Sequence, residues 1–158
     1  MRAHSMRGGA AVGRLADLTP IEAGAVMYLR LWGEGPHGRK DAAKDFDIAL
    51  GADRGRAAML TLDRLCALCL NHGRRPLIRH GLDCRCLGAD ENCFAQMIAA
   101  AADGDREDAM MMASLIVRPD YAPALASLSE ELGMALRRMT ASTPMPTTGH
   151  HASPAVLH

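Results

Sequence analysis

Aromatic residues are scarce in this chain, and their scarcity restricts how a core can be built. Only 3% of the 158 residues are aromatic, whereas 49% are hydrophobic. The core must therefore consist mainly of Leu, Ala, Met and Ile, which favours packed helices over strands rich in aromatic and β-branched residues. The length suits one domain. We expect a single compact all-α domain.

The chain also lacks a long hydrophobic run. Its longest mainly apolar stretch, residues 109–117, is far shorter than the roughly 20 residues that cross a bilayer. The first 18 residues contain three arginines but no apolar core of a secretory signal. We therefore expect no membrane contact and a cytoplasmic location, in which the five cysteines stay reduced.

Net charge is absent, because 18 basic residues balance 18 acidic ones. No overall field attracts the chain to nucleic acid or to a membrane. The charges are unevenly placed, however: residues 37–85 carry ten Lys or Arg against six acids, and residues 86–136 carry two against nine. The middle of the chain is therefore the better candidate for contact with an anionic partner.

Hydrophobic spacing predicts about six helices within a domain at residues 18–139. The first begins at Thr19, where Thr-Pro-Ile-Glu forms a capping box, and ends near Trp32. Glu22 and Arg30 are its only charged residues, so it should be largely buried. The others are predicted at 39–50, 53–71, 90–103, 105–117 and 120–139.

The stretch at about 74–88 breaks this helical pattern. Pro76 and Gly81 interrupt it, and short alternations of apolar residues predict an irregular segment or a small β-hairpin. Outside the domain, we expect a flexible N-terminus at 1–17 and a disordered tail at 140–158, where the sequence has little to bury.

The cysteines and histidines around this stretch raise the question of a zinc site. Paired cysteines on either side of a loop can supply tetrahedral ligands, and the best set comprises Cys66, Cys69, His72, Cys84 and Cys86, with His80 and Cys93 as substitutes. However, one residue between Cys84 and Cys86 is not the usual ligand spacing. Cys66 and Cys69 also share a helix face with leucines, as small buried hydrophobes do. We therefore expect no cofactor and keep zinc as the alternative.

The most distinctive candidate for binding is the basic run at 73–80. It groups Arg74, Arg75, Arg79 and His80, and guanidinium groups grip phosphate or carboxylate well. The run is predicted to contact an anion or a partner. The competing interpretation is a solvated loop that pairs with the acidic second half of the chain.

Three helices followed by an irregular hairpin resemble the winged helix-turn-helix DNA-binding domains. The stretches Leu18-Thr-Pro-Ile-Glu22, Leu50-Gly51 and Leu62-Asp-Arg-Leu65 are similar to the opening helix, the turn and the recognition helix of that family. The resemblance covers residues 18–88 and implies DNA contacts by Arg54, Arg56 and Arg64. It departs from the family at Asp53 and Gly55, which stand at the start of the recognition helix.

No sequence motif of a known catalytic site is present. Gly33-Glu-Gly-Pro-His-Gly38 matches a dinucleotide-binding pattern but follows a helix instead of a strand. A nucleophile formed by Cys84 and His80 would lack a third, orienting residue. The leading hypothesis is therefore a non-catalytic interaction or regulatory module that binds a protein or nucleic acid partner. A DNA-binding regulator and a zinc-stabilised fold are the alternatives, and self-association into a homo-oligomer stays open.

Overall fold

A computed structural model describes residues 7–142, and this part of the chain confirms the predicted mainly helical fold. Its six α-helices are α1 (Pro20–Gly33), α2 (Pro36–Leu50), α3 (Ala52–His72), α4 (Ala89–Ala102), α5 (Arg106–Ile116) and α6 (Ala122–Ser142). Two strands, β1 (Ala11–Arg14) and β2 (Cys86–Gly88), and two 3-10 turns, Leu15–Asp17 and Pro119–Tyr121, accompany them. Most of the predicted tail, residues 143–158, lies outside the described residues.

The first helix begins as its sequence predicts. The Thr19 hydroxyl accepts a hydrogen bond from the Glu22 amide at 3.3 Å, and the Glu22 carboxylate accepts one from the Thr19 amide at 3.2 Å. This reciprocal capping box satisfies two amides that have no partner inside the helix. Pro20 occupies the first turn, where a missing N–H costs nothing.

The second helix begins earlier than predicted, at Pro36 instead of residue 39. Gly35 has a φ of 93°, a conformation that side chains disfavour, and it turns the chain sharply between α1 and α2. Pro36 then fits the first turn of α2. The first three residues of α2, 36–38, are not part of the apolar spacing. The spacing alone therefore places the start of this helix too late.

The core lies where α4 and α6 pack against each other and against α1, α3 and α5. Phe94, Met97 and Ile98 of α4 meet Leu125 and Leu132 of α6 there, and all five are fully buried. α2 and α3 form an antiparallel pair against one side of this group. None of the described helices is both long and apolar enough to span a bilayer.

A two-stranded antiparallel sheet ties the start of the described chain to the segment before α4. Ala11 pairs with Gly88, Gly13 with Leu87 and Arg14 with Cys86, with an irregularity at Val12. The sequence predicted the irregular segment after α3, but it did not predict that the partner of β2 lies before α1. With only four residues, β1 has too short a sequence pattern to predict its pairing with a distant strand.

Candidate interaction site

The non-helical stretch between α3 and α4, hereafter the 74–88 segment, is attached to other elements of the fold at both ends. At its start, Gly73 forms an isolated bridge with Val117, and the Arg74 amide donates to the Ile116 carbonyl at 2.9 Å. At its end, β2 pairs with β1. The segment therefore spans from the end of α5 to the two-stranded sheet.

A buried ion pair holds the middle of this segment. The Arg30 guanidinium of α1 donates to both carboxylate oxygens of Glu91 in α4, at 2.6 and 2.9 Å, and the two side chains are 1% and 0% exposed. Arg30 also donates to the carbonyls of Gly81, Cys84 and Cys86 at 3.1, 2.6 and 2.8 Å. One guanidinium thus satisfies three backbone acceptors in addition to its carboxylate partner.

Glu91 completes this arrangement from the other side. Its carboxylate accepts hydrogen bonds from the amides of His80 and Gly88, at 3.2 and 3.0 Å. Burial alone would raise the pKa of Glu91, but the hydrogen bond from Arg30 and those from the two amides outweigh it and lower the pKa below its ordinary value. The hydrogen bond to Glu91 likewise raises the pKa of Arg30. Both groups are therefore charged at neutral pH.

A second ion pair fixes the first half of the segment. The Arg75 guanidinium donates to both oxygens of Asp90 at 2.7 and 2.5 Å, and the Ile78 amide donates to the same carboxylate at 2.8 Å. The hydrogen bond with Asp90 raises the pKa of Arg75. The Asp90 side chain is 8% exposed, whereas that of Arg75 is 51% exposed. Arg75 therefore anchors the segment and still reaches the surface.

The other predicted contact residues also make internal hydrogen bonds. Arg74 Nε donates to the Ser114 carbonyl at 2.6 Å, and Arg79 donates to the Gly33 carbonyl at 2.5 Å and to Glu34 at 3.4 Å. His80 Nε2 lies 3.0 Å from the Gly9 carbonyl, and its side chain is half-buried. Arg74, Arg75 and Arg79 of the segment are thus on the surface, while the His80 ring faces the interior.

Exposed leucines accompany these arginines. Leu70, in the last turns of α3, is 69% exposed, and Leu115, near the end of α5, is 66% exposed. Leu77 of the segment lies between them, because it lines one cleft together with Leu70 and another together with Leu115. We call Leu70, Leu77 and Leu115, with Arg74, Arg75 and Arg79, the leucine–arginine face.

The first of these clefts, with a volume of about 120 Å³, lies between α1, α3 and the 74–88 segment. Trp32 and the thiols of Cys66 and Cys69 line it. Burial raises the pKa of Cys69 to about 12 and raises that of Cys66 as well. Both thiols are therefore protonated at neutral pH and are poor nucleophiles.

The structure does not bring the predicted zinc ligands together. Cys66 and Cys69 face the cleft just described, and the His72 ring stacks on Tyr121 with centroids 3.8 Å apart. Cys84 and Cys86 lie in the 74–88 segment. Among residues 7–142, no group of three or more His, Cys, Asp or Glu side chains could hold a metal ion.

The three arginines assigned to DNA contact are all exposed on α3, and none makes an ion pair within the described part of the chain. Arg54 lines a groove against α6, and Arg56 lines one against α2. Residues two positions apart in an α-helix are about 200° apart around its axis, so Arg54 and Arg56 lie on opposite edges of the exposed surface of α3. Arg64 lies between these two directions around the axis but about 12 Å further along the helix than Arg56.

Sequence reasoning missed both the buried ion pair and the leucines of the face. Arg30 carried a signal, since it is the only charged residue beyond the first turn of an apolar helix, and such a charge indicates a buried partner. Glu91 carried no such signal. It is 61 residues away from Arg30 and occupies the first turn of α4, where acids are common. Leu70 and Leu115 look like ordinary members of apolar helices until their exposure is known.

Comparison with known protein families, with curated proteins and with solved structures finds no significant match to this chain. The function proposed below therefore depends on the geometry of the leucine–arginine face and of the surfaces around it.

Proposed function

We propose that this protein is a non-catalytic interaction module that binds a protein partner through the leucine–arginine face. The observation that carries the proposal is the combination of exposed leucines with a fixed non-helical segment. Leu70 and Leu115 are 69% and 66% exposed on either side of Leu77. Leu77, which is half-buried, lines one cleft with Leu70 and a second with Leu115, and exposed apolar side chains beside clefts with a polar rim are typical of protein interaction sites.

The backbone of the 74–88 segment is held in place before any partner binds, and this preorganisation strengthens the proposal. The amides of Ile78, His80 and Gly88 all donate to the carboxylates of Asp90 or Glu91, so the segment is held at three points along its length. A loop that is already ordered loses less conformational entropy on binding than a mobile one. The two ion pairs thus support recognition indirectly, by fixing the backbone that displays Leu77 and the arginines.

The free thiols support the cytoplasm as the compartment of this function. All five cysteines are unpaired. Reduced thiols are the rule where glutathione and thioredoxin systems operate.

The proposal is tested by selecting peptides on the whole chain from a phage-displayed library of random dodecapeptides. We expect enriched peptides whose binding is lost in the double variant Leu70→Asp/Leu115→Asp. Both substitutions are at exposed positions, so the fold should persist, and circular dichroism checks this. Ile48→Asp is the matched control, since Ile48 is 76% exposed on α2, outside the face. Selection that yields no peptide dependent on Leu70 or Leu115 would refute the proposed function.

DNA binding is a second candidate, favoured by the exposed and unpaired Arg56 and Arg64 of α3. Such a site would bind duplex DNA at low ionic strength and lose affinity steeply as salt is added. Fluorescence anisotropy with a labelled random-sequence duplex measures this. Salt-sensitive binding that Arg64→Glu weakens and Leu115→Asp leaves intact would favour DNA over a protein partner.

A further inference from the structure

The chemistry of the leucine–arginine face identifies the kind of partner segment that fits it. The cleft between α1, α3 and the 74–88 segment has a volume of about 120 Å³ and a mainly apolar lining that includes Leu29, Trp32 and Leu77. An engineered apolar cavity of about 150 Å³ takes up benzene. The cleft therefore has room for about one aliphatic or small aromatic side chain.

The indole N–H of Trp32, which lines the cleft, already has a hydrogen-bond partner. Trp32 Nε1 donates to Asp63 at 2.9 Å, and the Trp32 ring stacks against the Arg39 guanidinium 3.8 Å from its centroid. Within residues 7–142, no buried side-chain nitrogen or oxygen lacks a hydrogen-bond partner. Apart from Arg79, the residues that line the cleft thus offer an entering group apolar contact, which favours a hydrocarbon side chain.

The rim of the face is basic. Arg74 and Arg75 are exposed, Arg79 reaches the cleft itself, and exposed Arg118 follows the Gly73–Val117 bridge. Three acids lie near them: Asp90 is buried under Arg75, Glu34 is 3.4 Å from Arg79, and Asp63 accepts the hydrogen bond from Trp32. Neither Arg74 nor Arg118 forms an ion pair within residues 7–142. Arg74 uses only Nε for its internal bond to Ser114, so its terminal nitrogens are available to a carboxylate. Charge complementarity therefore selects an acidic partner.

We infer that the face binds an acidic peptide segment of another protein, with one large apolar side chain of that segment inserted into the cleft beside Trp32. The inference rests on the proposed function and adds the composition of the ligand to it. Carboxylates next to the inserted side chain contact Arg74 and the other arginines of the basic rim. Leu70 and Leu115 cover the apolar residues on either side of it.

Trp32 makes occupancy of the cleft directly measurable, because it is the only tryptophan in the chain. A synthetic, tryptophan-free copy of the most enriched dodecapeptide is titrated into the whole chain while Trp32 fluorescence is recorded. We expect Asp or Glu beside one large apolar residue in that peptide, and a saturable fluorescence change. Replacement of the apolar residue by Ala should weaken binding about tenfold or more. Arg74→Glu should weaken it as well, whereas Arg64→Glu, the matched charge reversal outside the face, should not.

The outcomes separate the inference from the function on which it rests. Peptides that depend on Leu70 and Leu115, but lack acids or leave Trp32 fluorescence unchanged, would overturn the inference and leave the proposed function standing. Selection without any face-dependent peptide would overturn both. A dimer in light scattering that dissociates on Leu115→Asp would overturn the inference too, because a second copy of the chain would then occupy the face.

Discussion

Arg30 and Glu91 are two charges removed from water, and their burial makes the fold depend on both. Removing one partner of a buried pair leaves an uncompensated charge and costs about 3–5 kcal/mol. We therefore expect Glu91→Gln to lower the free energy of unfolding by about that amount in urea titrations. Glu34→Gln is the control, since the exposed Glu34–Arg79 pair should contribute less than about 1 kcal/mol.

A double variant separates the pair from the other bonds of Arg30. Arg30→Met/Glu91→Gln should be more stable than Glu91→Gln alone, because no unpaired guanidinium stays buried. It should remain less stable than the natural chain, since the carbonyls of Gly81, Cys84 and Cys86 lose their donor. A Glu91→Gln variant as stable as the natural chain would contradict this view of the pair.

The lowered pKa of Glu91 gives the same pair a pH dependence. A carboxyl whose pKa is lower in the folded state stabilises the fold above its unfolded pKa of about 4.3, and this contribution is lost as the pH falls through the folded pKa. Unfolding measured between pH 7 and pH 3 should therefore show an acid loss of stability that is smaller in Glu91→Gln. Equal acid sensitivity of the two proteins would refute the assignment.

Burial also predicts an order of reactivity among the cysteines. Cys86 is exposed, whereas Cys66 and Cys69 are buried with raised pKa values. Because the thiolate is the reactive form, iodoacetamide at pH 8 should modify Cys86 first and should reach Cys66 and Cys69 only in denaturant. Peptide mass spectrometry resolves the sites. Early modification of Cys69 in the folded chain would contradict this order.

At the scale of elements, the crossing of α2 and α3 depends on Gly55. A side chain at this position would meet the backbone of Asp47 in α2, since an added Cβ would lie 2.8 Å from the Asp47 Cα. Gly55→Ala should therefore destabilise the fold by about 1–3 kcal/mol through overpacking. Gly24→Ala is the matched control, because its Cβ would make ordinary contact with Leu136 at 3.4 Å and helix propensity favours Ala. Thermal unfolding of the two variants measures the difference, and equal melting temperatures would contradict the predicted crowding.

The elements also show where sequence reasoning succeeds and where it stops. The capping box at Thr19 and the apolar spacing along α3, α4 and α6 are local signals, so the mainly helical fold could be predicted from them. The pairing of β1 with β2 could not, because it joins residues more than 70 positions apart through a few backbone bonds. Gly55, which looked like a departure from a DNA-recognition helix, is explained by close helix packing.

The candidate site, too, could be predicted only in part, because its contacts join residues that are distant in the sequence. The basic run at 73–80 was predicted as a contact, but the internal bonds of Arg74, Arg75 and Arg79 depend on acceptors in α1, α4 and α5. Such acceptors cannot be assigned before the helices are packed. The exposure of Leu70 and Leu115 is likewise a property of the assembled fold, since a helical pattern alone does not say which leucine is left uncovered.

For the whole molecule, the 74–88 segment connects parts of the fold that are distant in sequence. It contacts α1 through Arg30 and Arg79, α4 through Asp90 and Glu91, and the end of α5 through Arg74. Because of these attachments, we expect the leucine–arginine face to be a rigid surface of the domain and not a mobile loop. The proposed recognition of an acidic segment depends on that rigidity.

Amide hydrogen exchange in the free chain, followed residue by residue by NMR, tests this claim most directly. The amides of Ile78 and His80 lie outside any helix or strand, yet they donate to the carboxylates of Asp90 and Glu91. We expect both amides to be protected to a degree similar to the core helices, and to lose much of that protection in Glu91→Gln. Exchange of Ile78 and His80 at the rate of an unstructured peptide would contradict a preorganised face.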